Sequence, residues 1–309
     1  MALSGVLQLD LSGDLSESET LEIGAFKWFV KKNPGCKDRH GANPNCILLA
    51  CRPKNESSTL LWNCAATGTF KCTYERGSGY YSDRSSEEKW KASFNQNSYE
   101  IHLYPSEKLT LKSVIGCIDV TESSSIEIAD RSNALIKGPL DAMSVRIDGE
   151  EIWLSKTMLD SYPGFLKQKW MDSYEFQGDK IGEFLYFLGV IHGFENYWSI
   201  DEKSIGYVLK LADKYDVEAV EEKCVKFLRI DGGLDHLNSE RLHKVPIEEK
   251  IRLADEFKFR QVLVELIDKM DSKELTTLPW RVTLLGYQLS EFALRMVKVK
   301  KSSLVHKCH

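Results

Sequence analysis

From Leu60 to Tyr74 the chain alternates. Leu60, Trp62, Cys64, Ala66, Gly68, Phe70, Cys72 and Tyr74 hold the even positions, while Asn63, Thr67, Thr69, Lys71 and Glu75 make the odd set mostly polar. Successive strand side chains point to opposite faces, so this pattern predicts one long half-buried strand, with a bend or bulge at Gly68. Cys46–Cys51 is a shorter apolar run ended by Arg52-Pro53, and Ile101–Tyr104 and Leu109–Val120 read as closing strands. Residues 1–122 carry no helical period and read as an antiparallel β-sandwich.

Residues 123–138 turn polar, with Ser123-Ser124-Ser125, and read as a linker. Alternation resumes at Val145 and Ile147, and Asp148-Gly149 predicts a tight hairpin turn that returns through Ile152 and Leu154. A short strand is expected near Tyr174-Glu175-Phe176, and Asp179 is placed to cap a helix burying Ile181, Phe184, Leu185 and Leu188. Ile205, Val208, Leu209 and Ala212 then recur at helical spacing, with Ser199 and Glu202 in the spacing of a capping box. The phase restarts after Tyr215-Asp216, which predicts a bend and a second helix through Val217, Val220, Cys224 and Leu228. Forty-two positions on, Leu253-Ala254-Asp255-Glu256-Phe257 echoes Leu211-Ala212-Asp213-Lys214-Tyr215, so a helix pair is used twice. Residues 139–230 form a mixed domain, and residues 231–309 a helical extension with helices expected around 247–258, 260–270 and 282–297. The fold class is α+β.

Composition narrows the function classes. With 42% hydrophobic and 28% charged residues and a net charge of −5, the chain is of ordinary globular character and lacks the basic stripe of a nucleic-acid binder. Lys298-Val299-Lys300-Lys301 reads as a solvated chain end. No apolar run approaches the ~20 residues of a membrane span, and the start lacks a secretory pattern, so a cytoplasmic or nuclear location is expected. The eight cysteines are then expected to be free thiols or ligands. Cys36, His40, Cys46 and Cys51 are the one constellation suggesting a metal, but Cys46 and Cys51 differ by an odd number along a strand and face opposite ways. No metal or cofactor is expected. Phosphate-binding, dinucleotide, zinc-protease and nucleophile-elbow motifs are missing, so no enzyme is expected. Phe194, Tyr197 and Trp198 cluster before the first LAD-type helix, either as an interface or as a seal on the core.

Asp141, Val145, Ile147, Gly149, Lys156, Leu159, Pro163 and Phe165, followed by Leu211–Tyr215, Val220 and Cys224, resemble the BTB (POZ) domain. Gly24-Ala25-Phe26-Lys27-Trp28, the strand through Trp62 and the strand Val114–Val120 resemble the MATH domain, a sandwich that captures peptide motifs. That order is similar to substrate adaptors of cullin-RING ubiquitin ligases. The resemblance implies a MATH-like domain that binds substrate, through a groove lined by aromatics such as Tyr80, Tyr81, Trp90 and Phe94, with Trp28 and Trp62 in the core. It implies a BTB domain that binds a cullin or self-associates, with Phe165, Met171, Asp172 and Tyr174 at the matching cullin-facing positions. Ser155 stands where the family commonly has His, Asp172 where it has Glu, and Lys167 and Lys169 where apolar residues are common. Those departures keep open an alternative, a BTB-mediated oligomeric scaffold with no ligase role.

Overall fold

Among the described residues ten strands run through the first part of the chain: β1 (Leu3–Asp10), β2 (Leu21–Ile23), β3 (Phe26–Lys32), β4 (Lys37–Asp38), β5 (Gly41–Ala42), β6 (Ile47–Pro53), β7 (Leu60–Glu75), β8 (Arg84–Asn95), β9 (Glu100–Leu103) and β10 (Thr110–Glu127). They belong to a computed structural model that describes residues 3–11, 16–33, 37–38, 41–42, 45–75, 84–105, 109–166, 174–176, 178–192, 200–229 and 245–306. Apart from the small β4–β5 ladder, they form two antiparallel sheets of order β1-β10-β7-β8 and β2-β3-β6-β9. The alternation of the long strand builds the core between them. Leu60, Trp62, Cys64, Ala66, Phe70, Cys72 and Tyr74 join Phe26, Trp28 and Val30 of β3 and Ile47, Leu49 and Cys51 of β6 in one apolar cluster. Each large side chain buried there contributes roughly 1.5–3 kcal/mol.

Three details depart from the pattern. Leu61, Asn63 and Ala65 are buried as well, so β7 is covered on both faces at its start. Gly68 is not a bulge. It pairs in register with Ile118 and Trp90, and the irregular steps fall in β10 at Leu111/Ser113 and Val120/Glu122. Close approach is what requires glycine there, since a Cβ would lie 2.0 Å from the Cys117 carbonyl oxygen and 2.8 Å from the Trp90 ring. Nor is 123–138 a free linker. Ser123, Ser124 and Ser125 pair with Cys64, Asn63 and Trp62 as part of β10. Beyond them the Ile128 carbonyl accepts from the Trp153 N–H at 2.7 Å, and the buried Asn133 donates its Nδ2 to the Trp153 carbonyl at 2.9 Å. The polar residues serve local hydrogen bonds that fix the crossing.

Next come the hairpin β11 (Ala142–Ile147) and β12 (Glu150–Ser155), the short helices α1 (Lys156–Asp160) and α2 (Pro163–Leu166), the strand β13 (Tyr174–Phe176) and the helix α3 (Ile181–Ile191). Asp148 (φ 52°) and Gly149 (φ 82°) are both left-handed, which fits the two-residue hairpin turn expected of that dipeptide. β13 adds to β11 in parallel. Phe184, Leu185, Tyr186, Phe187 and Leu188 are all buried, so α3 is a core helix, and Gln96 Nε2 reaches its Gly182 carbonyl at 3.3 Å.

Among the described residues six helices follow: α4 (Ile205–Tyr215), α5 (Glu218–Arg229), α6 (Ile247–Glu256), α7 (Arg260–Asp268), α8 (Ser272–Leu284) and α9 (Glu291–His306). The stripe Ile205, Val208, Leu209 and Ala212 is buried as its spacing predicts. Ser199 of the expected capping box lies outside the described residues; just ahead of α4, Asp201 Oδ1 accepts from the Ser204 N–H at 2.8 Å, and Ser204 Oγ accepts from the Asp201 N–H at 2.9 Å, closing a turn that leads into the helix. The single helix expected at 282–297 is instead two, α8 and α9, broken at residues 285–290 around Gly286 (φ 77°).

The chain divides into two compact units. One holds Met1–Lys156 with Ser173–Gly189 and Gly193–Trp198, and the other Thr157–Asp172 with Val190–His192 and Ser199–His309. The hairpin and most of α3 therefore group with the sandwich rather than with the helices that follow. Among the described residues no helix is long and apolar enough to cross a membrane.

Candidate functional site

Alternation on β3 sends Phe26, Trp28 and Val30 into the core, so Lys27, Phe29 and Lys31 stand on the outer face of the sheet. The same rule puts Leu48, Ala50 and Arg52 of β6 and Glu100 and His102 of β9 on that face. Register then sets rows: Phe29 beside Ala50 beside Glu100, and Lys31 beside Leu48 beside His102. Leu48 and Ala50 point outward yet are buried, which makes them an apolar floor beneath longer neighbours.

Cations and aromatics stand over that floor. The Arg52 guanidinium lies 4.7 Å from the Tyr99 ring centroid and 5.7 Å from that of Phe29, and Lys31 Nζ approaches Phe29 at 5.9 Å. Such cation–ring contacts contribute ~0.5–1 kcal/mol each at exposed sites. Glu100 serves two cations: its Oε1 accepts from Lys31 Nζ at 3.1 Å and lies 3.8 Å from Arg52 Nη2. Lys54 pairs with Glu22 at 2.6 Å, which holds that carboxyl below its ordinary range, and Lys27 lies 3.7 Å from Glu56. His102 Nδ1 is 3.4 Å from Cys46 Sγ, and its ring stacks on Tyr104 at 6.2 Å.

β9 ends its sheet. The Tyr99 carbonyl accepts from the Cys51 N–H at 2.9 Å, so by alternation Glu100 and His102 direct their own backbone groups away from β6. The last strand of a sheet, where it adjoins an aromatic and cationic face, is a place where an extended segment can dock, with side-chain contacts for selectivity.

Other residues singled out in the sequence fall elsewhere. Trp90 and Phe94 are not groove residues: Trp90 lies buried over Gly68, and Phe94 packs edge-on against Trp28 at 5.1 Å and 83°. Phe165 is no surface contact either, since it is buried and stacked on Tyr215 at 4.1 Å and 8°. Tyr174 pairs in backbone with Val145. Tyr80, Tyr81, Met171, Asp172, Phe194, Tyr197 and Trp198 lie outside the described residues.

Of the cysteine–histidine constellation, Cys36 and His40 also lie outside them, while Cys46 and Cys51 face opposite ways as alternation requires. Cys51 is in the core, where burial and the neighbouring Cys64 thiol push its pKa far up. Among the described residues no group of three or more His, Cys, Asp or Glu is arranged to hold a metal.

A second exposed feature lies in the helical unit. Trp280 and Leu284, four residues apart on α8 and both 65% exposed, stand beside the exposed Leu285. By helical spacing they lie opposite the buried Leu275, Leu278 and Val282.

Neither protein-family models nor curated proteins give a match to this chain.

Proposed function

We propose that the chain is a non-catalytic protein-interaction adaptor whose sandwich binds an extended segment of a substrate protein. The observation that carries this reading is the Phe29–Arg52–Tyr99 face over the Leu48–Ala50 floor, beside β9, the last strand of its sheet among the described residues. Its domain order resembles a MATH domain followed by a BTB domain, which makes a substrate-recognition subunit of a cullin-RING ubiquitin ligase the leading assignment. Because Phe165 packs internally, cullin contact would fall to Met171, Asp172 and Tyr174.

Two measurements test the two halves. A random nonamer library passed over the immobilised chain should leave peptides on the native protein that Phe29→Ala with Tyr99→Ala fails to retain; an empty column sinks the peptide reading. Pull-down of the whole chain against a cullin amino-terminal domain tests the other half, and no binding at micromolar concentration removes the ligase role. The whole chain is needed because the hairpin groups with the sandwich.

An oligomeric scaffold without ligase function is the second reading, favoured by the exposed Trp280, Leu284 and Leu285. Light scattering should then give a multimer that Trp280→Glu dissociates, and a strict monomer excludes it.

A further inference from the structure

The two sheets of the sandwich end, among the described residues, in β1, β8, β2 and β9. Three of these carry charge within the strand: Arg84, Glu87, Glu88, Lys89 and Lys91 on β8, Glu22 on β2 and Glu100 on β9. Charges on an edge discourage pairing with another chain. β1 differs. Over Leu3–Leu9 it has no charged residue, and Asp10 stands at its end. The Leu11 N–H donates to the Lys112 carbonyl at 2.8 Å, so by alternation along the β1–β10 ladder Leu3, Gly5, Leu7 and Leu9 bond to β10, while Ser4, Val6 and Gln8 turn their backbone groups outward. These last residues are all exposed, and no further strand pairs with them among the described residues. Apolar side chains line this edge. Val6 is 59% exposed, Leu3 40%, and Ile115, across from Gln8 on β10, 37%.

We infer that β1 is a self-association edge, which pairs antiparallel with β1 of a second copy of this chain. Self-complementarity of the strand selects that occupant. A two-fold axis at Val6 sets the two Val6 side chains together, Ser4 of each copy against Gln8 of the other, and the exposed Leu3 of each against Leu9 of the other. No rung brings like charges together, and the rungs at Ser4, Val6 and Gln8 supply the backbone hydrogen bonds. Pairing uses β1 in both copies and leaves the charged β8 at both ends of the joined sheet, so assembly stops at two. One eight-residue strand per copy is a small contact beside the ~1,200–2,000 Å² of standard interfaces, so the dimer dissociates on dilution. This association is independent of the peptide-binding reading and uses a different surface from Trp280.

Sedimentation equilibrium of the whole chain between about 1 μM and 1 mM, the range of weak complexes, should show the mass rising from one copy toward two. Val6→Lys sets two ammonium groups together at the axis and should weaken association roughly tenfold or more, whereas Trp280→Glu should leave this dimer unchanged. Thermal melts check that Val6→Lys is folded, as expected for a side chain in solvent. Amide exchange followed by NMR gives a second readout. The amides of Ser4, Val6 and Gln8 should become protected as concentration rises, and those of Gly5, Leu7 and Leu9, already bonded to β10, should not change. A chain that stays monomeric throughout the range overturns the inference, including the case in which β1 takes an extended segment of another protein. So does a dimer that Trp280→Glu abolishes and Val6→Lys leaves intact, or one in which exchange at Ser4, Val6 and Gln8 is indifferent to concentration.

Discussion

At the end of α4 the left-handed Asp216 (φ 57°) lets the Val217 N–H close on the Ala212 carbonyl at 2.9 Å. Forty-two residues later Lys258 (φ 60°) does the same at the end of α6, with the Phe259 N–H on the Ala254 carbonyl at 2.8 Å. The backbone is one turn used twice, but the surroundings differ. In the first copy the aromatic residue bears the packing: Tyr215 is buried, Phe165 stacks on its ring, and Gly164 lies against its backbone. In the second copy the acidic residue does. Asp213 is exposed, whereas its counterpart Asp255 is buried and accepts from the Ser290 N–H at 2.6 Å, from Ser290 Oγ and from Tyr287 Oη at 3.3 Å. Ser290 Oγ accepts in turn from the Ala293 N–H at 3.2 Å, so Asp255 fixes the start of α9. Local sequence specifies the turn, and neighbouring elements decide which of its residues hold the structure together.

The largest effect should come from breaking the first copy at its tightest point. A Cβ at Gly164 would lie 2.2 Å from the Tyr215 carbonyl carbon, backbone that cannot rotate away. Gly164→Ala should cost roughly 3–5 kcal/mol in urea unfolding followed by far-UV circular dichroism. Gly206→Ala on α4, where a Cβ meets nothing within 4 Å, should instead be neutral or stabilising by up to ~1 kcal/mol. Next in size is the acidic pair. Asp255→Ala leaves the start of α9 without its acceptor and should cost ~2–4 kcal/mol, while Asp213→Ala should stay within about 0.5 kcal/mol. Equal costs at the two positions would mean that burial has not divided the roles as described.

Legibility followed the range of the forces involved. The β7 core face, the Asp148-Gly149 turn and the 42-residue echo were readable because each is set by residues a few positions apart. α8 was missed although Asp271 and Glu274 carry the spacing of a reciprocal cap, because Pro279 inside the helix breaks the apparent period. Trp90 and Phe94 sit four apart on the inward face of β8, and that spacing was a signal for core that went unused. The Phe29–Arg52–Tyr99 face was not legible at all. It is assembled from β3, β6 and the approach to β9, whose register no local pattern supplies. Its one trace in sequence is Phe29, an aromatic alternating with Lys27 and Lys31.

A titration sharpens the comparison further, because Cys224 of the first helix pair corresponds to Leu266 of the second. Burial, with Glu221 nearby, pushes the Cys224 thiol from 9.0 up to about 12. Below pH 9 both folded and unfolded chains keep the proton, and the contribution is fully present. As pH rises the unfolded chain ionises first, so stability is lost between pH 9 and about 12. Between pH 8.5 and 10.5 this should remove about 2 kcal/mol from the helical transition. Cys224→Ala, whatever its own cost, should flatten that slope. An unchanged slope would place the alkaline sensitivity in other groups, such as Tyr287 with its pKa raised to about 12.

The smallest effect separates the turns at the residue that makes them. A side chain in left-handed backbone costs roughly 1–2 kcal/mol unless, as with Asp, it bonds locally. Lys258 has no such recourse through its long aliphatic stem, whereas Asp216 belongs to the residue type that tolerates this conformation. Replacing each by glycine removes the strain but adds freedom to the unfolded chain, so the two terms nearly cancel where the strain is small. Lys258→Gly should therefore stabilise the helices by about 0.5–1 kcal/mol, and Asp216→Gly should change little. Urea midpoints at constant slope read the difference directly. If Asp216→Gly gained as much as Lys258→Gly, the two turns would be equally strained, and the distinction between them would rest on packing alone.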